Sequence, residues 1–159
     1  MTSAHIVASL LLTIVERGPA LTLLQTQGNQ CVWCPQQLLP GRGVDLGGDQ
    51  GWRPHACRRC HALRTRVVAT YVAWNDHIVD CAVCTHGCCA TAATLRIAHL
   101  AARQRIDRSS AWCLHCETLI RDGAFRPYLW KSQRGPVLSY AHARSCPAPP
   151  AEARASHPV

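Results

Sequence analysis

Eight of the eleven cysteines fall in four Cys-x-x-Cys pairs: Cys31/Cys34, Cys57/Cys60, Cys81/Cys84 and Cys113/Cys116. On a tight turn such a pair aims two thiolates at one point, which is half of a tetrahedral zinc site. One pair alone would serve equally well as a redox dithiol. Four pairs in 159 residues, with nine histidines available, point to metal. Disulfides are the competing use of so many cysteines and would suit a secreted chain. The apolar run Ile6 to Val15 has the length of a signal-peptide core, but no Lys or Arg precedes it, and Glu16-Arg17-Gly18-Pro19 follows it in place of an Ala-x-Ala site. It is also short of the ~20 residues of a membrane-spanning helix. The expectation is a cytoplasmic protein with reduced thiols, metal in preference to disulfides, and no membrane partner.

The pairs do not close into equal sites. Cys31, Cys34, Cys57 and Cys60 make a complete four-ligand set, with 22 residues between the two pairs. Cys113 and Cys116 find their complement in His142 and Cys146, whose spacing would put both side chains on one helical face, one turn apart. His115, between the first two ligands of that set, is the alternative nitrogen. The middle group runs His77-x3-Cys81-x2-Cys84, then Cys88 and Cys89. His77, Cys81, Cys84 and Cys89 form a possible third site, with Cys88 as the other choice for the last ligand. An iron–sulfur cluster or free thiols are the remaining readings of this group.

Several elements must position these ligands. Ile6, Leu10 and Ile14, with Val7, Leu11 and Val15, make one helical stripe, so residues 1–18 form an amphipathic helix ended by Gly18-Pro19. Leu21 to Leu24 reads as a short strand leading to Cys31. Residues 40–54, rich in glycine, read as a loop or irregular hairpin, and Leu63, Val67, Tyr71 and Trp74 predict a helix over 57–74. A second helix is expected over about 89–106. Gly123 and Gly135-Pro136 punctuate two strands, Phe125 to Lys131 and Val137 to Tyr140. The resulting division is a first zinc module at 19–75, a helical cysteine-bearing segment at 76–106, a linker at 107–110, a second zinc module at 111–147 and a disordered tail at 148–159. With one Phe and one Met, apolar material for a single large core is thin. The predicted class is a small, metal-stabilised α+β fold of two treble-clef- or zinc-ribbon-like modules with intervening helices.

The order knuckle, hairpin, then Cys57-Arg58-Arg59-Cys60 at a helix start resembles treble-clef zinc fingers. With His61 and Val44-Asp45 it also resembles the scaffold of HNH nucleases. Leu46 stands where that family's general-base histidine falls, so the likeness implies fold and not hydrolysis, with a degenerate or divergent HNH-type nuclease as the enzyme alternative. His77-x3-Cys81-x2-Cys84 resembles the motif of zinc-binding anti-sigma factors, which implies a redox- or metal-responsive regulator as an alternative function. Cys81-x2-Cys84-x4-Cys89 resembles the cysteine run of WhiB-like regulators, which implies an iron–sulfur cluster.

The formal charge of +8 suggests an acidic partner. That figure assumes neutral thiols. A zinc-loaded four-cysteine site carries −2 and a three-cysteine, one-histidine site −1, so one of each leaves +5 and a third leaves +4. Sixteen of the seventeen basic residues are arginine, suited to bidentate phosphate contacts. The candidates for nucleic-acid contact are Arg58, Arg59, Arg64 and Arg66 on the first module's helix and Arg96 and Arg103, with His99, on one face of the next. No phosphate loop, deaminase signature or carboxylate pair supports catalysis. The sequence therefore predicts a non-catalytic zinc protein acting on nucleic acid or a transcription-related protein.

Overall fold

The stripe of Ile6, Leu10 and Ile14 winds as α1 (Ser3–Glu16) in the computed structural model, which describes residues 3–49, 51–85, 87–108, 110–121, 123–132, 135–144 and 146. The expected tail, Pro147 of the second module and Ser109 of the linker lie outside those residues. Leu10, Leu11 and Val15 are buried, as an amphipathic packing helix requires. No helix among the described residues is long and apolar enough to cross a membrane.

The strand expected at Leu21 to Leu24 is instead a single helical turn, α2 (Leu23–Thr26). Its cause is a capping box: Gln25 N–H donates to Thr22 Oγ1 at 3.3 Å, and Thr22 N–H donates to Gln25 Oε1 at 2.9 Å. The hairpin expected near 40–54 forms from β1 (Val44–Asp45) and β2 (His55–Ala56), paired antiparallel with Val44 opposite Ala56. From there α3 (Arg58–Asp80) runs past the predicted end at 74, because no glycine or proline interrupts it and Ile78 extends its apolar stripe. The helix therefore crosses the position drawn between the first module and the middle segment. The next helix, α4, spans Ala90–Gln104.

The last third is all β: β3 (Ala111–Trp112) pairs with β4 (Leu119–Ile120), and β5 (Phe125–Ser132) with β6 (Gly135–His142). Each pair is a separate two-stranded sheet. With only edge strands, the long hairpin tolerates Pro127 and Pro136.

The expectation of modules without a large common core is corrected by the packing. One cluster joins Leu10 and Leu11 of α1, Val68, Tyr71, Val72 and Trp74 of α3, and Ala111, Ile120, Phe125, Tyr140 and Ala141 of the β region. Rings fill the space that phenylalanine would otherwise fill: Tyr71 meets Tyr140 edge-on at 5.4 Å, and Phe125 meets Tyr140 at 4.7 Å. A smaller cluster holds Val15, Leu38, Leu46 and Ala56 around Cys31 and Cys57.

Polar groups within this core are paired. The Tyr71 hydroxyl donates to the Ser139 carbonyl at 2.7 Å and accepts from the Tyr128 and Ser139 N–H groups at 3.0 and 3.1 Å. Asn75 Oδ1 accepts from Leu129 N–H at 3.1 Å. His99, fully buried, shares hydrogen bonds with Thr70 Oγ1 at 3.0 Å and the Tyr140 hydroxyl at 2.9 Å. The helix α3 is thus bonded directly to the backbone of the hairpin.

Two outcomes follow. Tyr71→Phe strands two backbone N–H groups and a carbonyl, and is expected to cost about 1–3 kcal/mol, read as a lower thermal midpoint. Burial, and then the charge of Arg103 beside it, hold His99 down to about 4 from its ordinary 6.5. The unfolded chain therefore takes up this proton first. Stability from the neutral ring is present above about pH 6.5 and is lost as pH falls towards 4. Urea unfolding at pH 7 and pH 5 is expected to show about 2 kcal/mol more loss in the wild type than in His99→Gln.

Candidate metal centres

In the first centre Cys31 and Cys34 lie on a turn held against β2, with Val32 N–H donating to the His55 carbonyl at 3.0 Å. Gly28, at φ +76, lets the chain close there, since a side chain would strike the His55 ring. Cys57 is the N-cap of α3, its Sγ accepting from Cys60 N–H at 3.4 Å, and Cys60 lies on the first turn. The hairpin between the pairs brings them together.

The third group also closes around a helix cap. His77 is on the last turn of α3, and Cys81 caps its end. Cys89 is the N-cap of α4, its Sγ accepting from Ala92 N–H at 3.4 Å. His77 Nε2 is 3.0 Å from Cys89 Sγ. Of the two choices for the last ligand, the structure brings in Cys89. Cys88 is exposed and is not part of the group.

The second module's centre is built differently from the expectation. His142 ends strand β6, and Ala143 and Arg144 form a bend, so His142 and Cys146 are not one turn apart on a helix. The strand end and the bend deliver them to Cys113 and Cys116. Cys116 Sγ is 3.6 Å from His142 Nδ1. His115, the alternative ligand, is exposed and its ring packs edge-on against Tyr128. Glu117, at φ +54, carries the left-handed step of that turn.

In all three groups one ligand atom from each of four residues lies within 4.8 Å of every other: Cys31, Cys34, Cys57 and Cys60; His77, Cys81, Cys84 and Cys89; Cys113, Cys116, His142 and Cys146. Each could hold a metal ion, and the donor sets are consistent with zinc. Distances discriminate between the chemistries. Tetrahedral zinc with Zn–S bonds of about 2.3 Å sets its sulfurs about 3.8 Å apart. The sulfurs stand 3.9 Å apart for Cys34 and Cys57, 3.6 Å for Cys84 and Cys89, 4.0 Å for Cys81 and Cys89, and 3.6 Å for Cys113 and Cys146. A disulfide needs about 2.05 Å. Such separations are too long for a disulfide bond and leave room for an ion.

Electrostatics separates the thiols within each group. Burial pushes Cys57 up, but the Cys60 N–H and neighbouring thiols outweigh it and hold it below the ordinary range. Cys60 is pushed up by burial and by the Cys57 and Cys34 thiols. Cys89 is held down to about 6, first by the Ala92 N–H and then by His77. Burial raises Cys113, yet the N–H groups of Cys116, His115 and His142 bring it to about 5, while burial and the Cys113 thiol push Cys146 up to about 11. A divalent cation at the centre would favour the thiolate form of these donors.

The candidate nucleic-acid residues are divided by the structure. Arg58, Arg59 and Arg66 are exposed on α3. Arg64 is partly buried, its guanidinium 5.2 Å over the Trp33 ring. Arg103 and His99 do not face outward, which corrects their assignment as contacts. Arg103 is buried at 6 % exposure, 4.6 Å over Tyr140 and 5.1 Å over Phe125, donating to the Arg108 and Ser110 carbonyls. Those carbonyls belong to the predicted linker, which is therefore tied to α4. Arg96 donates to the Gly123 carbonyl at 2.7 Å.

Comparison with protein families, curated proteins and solved structures finds no match to this chain. Its metal centres rest on their own geometry. Native mass spectrometry of the full chain is expected to find three zinc ions, and Cys60→Ala two. Two or fewer ions in the wild type, or iron with sulfide, would overturn the three-centre assignment.

Proposed function

We propose that the three centres hold structural zinc and that the protein is a non-catalytic recognition module for nucleic acid, acting through the arginines around the first centre. The observation that carries this reading is the exposure of Arg58 and Arg59 on the first turn of α3, beside the ligands Cys57 and Cys60. They line one groove of about 420 Å³ with Arg42, Gln36 and Gln37. Arg59 also lines an adjoining groove with Arg64, Arg105 and Trp33. Phosphate contacts from arginine and amide side chains position a nucleic-acid backbone without reading its sequence.

Charge supports the same face. A zinc-loaded four-cysteine centre would place −2 beneath it, and Arg42, Arg58, Arg59, Arg64 and Arg66 exceed that. The treble-clef likeness of this region, carried by its order of cysteine turn, hairpin and helix start, is part of the proposed reading. The buried position of Leu46, in the apolar cluster around Cys31 and Cys57, supports recognition over hydrolysis, because a general base there would have no access to water or substrate.

Fluorescence anisotropy with labelled DNA and RNA tests this reading. Saturable binding is expected, weakening with salt. Replacing Arg58, Arg59 and Arg66 singly with Ala is expected to reduce the log–log salt slope by about one each, uniformly across sequences. Affinity that is insensitive to salt, or unchanged in all three variants, would refute it.

A further inference from the structure

We propose that the cleft between the α3–α4 connection and the base of the β5–β6 hairpin binds an organic phosphate, a phosphomonoester carried on an aromatic or apolar body as in a nucleotide. The cleft has a volume of about 640 Å³, well within the range of small-molecule sites. Its floor is apolar, formed by Trp74, Ile78 and Phe125, and its charged walls are Arg96, Arg126 and Arg144. No acidic residue is among its described lining.

Arg96 points to the ligand's chemistry. One end of its guanidinium is fixed on the Gly123 carbonyl at 2.7 Å, while its Nε is fully buried with no hydrogen-bond partner. A buried donor without an acceptor is costly, and a small shift of the Arg96 side chain on binding an anion would supply one. Arg126 and Arg144 are exposed and line the same cleft. Three guanidinium groups match a dianion better than a single carboxylate, and guanidinium suits phosphate geometry in particular. The apolar floor takes the body of the ligand. Cys84 of one metal centre lines this cleft, and His142 of another lines the adjoining cavity that shares Arg96 and Arg144. Two metal centres would thereby fix both walls.

The exposed thiol of Cys88 also lines the cleft and serves as a reporter. The cleft shares no residue with the Arg58–Arg59 face, so either reading can fail alone. Calorimetric titration of the zinc-loaded full chain with inorganic phosphate, phenyl phosphate, AMP and UMP tests the proposal. Phenyl phosphate or a nucleotide is expected to bind saturably, at least about tenfold tighter than inorganic phosphate, and to slow alkylation of Cys88. Arg126→Ala and Arg144→Ala are each expected to weaken binding about tenfold, with zinc content and thermal midpoint unchanged. A 5′-phosphorylated pentanucleotide that competes, where its 5′-hydroxyl form does not, identifies a strand end as a source; failure of both to compete identifies the free nucleotide. No saturable binding at millimolar ligand, equal affinity for inorganic phosphate, or binding unaffected by both variants would overturn the proposal.

Discussion

Two cysteine sulfurs each belong to a group that could hold a metal ion and each cap a helix, and the placement of both long helices depends on them. Cys57 starts α3 and Cys89 starts α4, each accepting the backbone N–H three residues on. The helix start favours a thiolate through its free N–H groups and dipole, and the thiolate satisfies a donor that would otherwise be orphaned. A cation would then reward the same ionised form. Helix start and metal centre are therefore coupled: loss of the ion weakens the cap, and an altered helix start displaces the ligand. Since α3 also ends at His77 and Cys81, it is held at both ends, over a length of about 34 Å.

Fixing α3 in this way lets a chain poor in phenylalanine build a shared core. The helix presents Tyr71 and Asn75 to the hairpin, and these bond to backbone groups of β5 and β6 as well as packing against them. Arg103 is accommodated by similar means, with two carbonyls for its N–H groups and two ring faces for its charge. The core contains polar and even charged side chains, but those with partners are placed by geometry that the cysteine-capped helices define. Composition understates such a core because it counts residues and not their pairings.

The same distinction explains which features were legible in the sequence. Cys-x-x-Cys spacing is a local geometric constraint, and it located the pairs around which the three groups assemble; the choice between Cys88 and Cys89 was open in the sequence and is made by the structure. Helical stripes located α1 and α3. The capping box Thr22-Leu23-Leu24-Gln25 was readable in principle, but two adjacent leucines gave the stronger, misleading strand signal. The arrangement of His142 and Cys146 was not legible, since a three-residue gap suits a helix face as well as a strand end and bend. Arg103 was misplaced for a deeper reason. A helix periodicity identifies a polar face, yet only the hairpin 20 residues and more downstream decides whether that face meets water or aromatic rings.

Burial of Arg103 also changes the meaning of the net charge. With three zinc centres of the expected composition the formal +8 falls to +4, and one of the remaining positive charges is enclosed in the core. A field that weak, screened beyond about 8–10 Å at physiological salt, steers little at long range. Any acidic partner has to be recognised by local groups of arginine. Two such groups stand on the surface, Arg42 with Arg58 and Arg59 by the first centre, and Arg126 with Arg144 between the other two. Each group lines a cleft together with a cysteine of a candidate metal centre, Cys57 in one and Cys84 in the other. On the readings proposed above, the metal centres would bear on function through the placement of arginine, with none of their ligands needing to touch a partner.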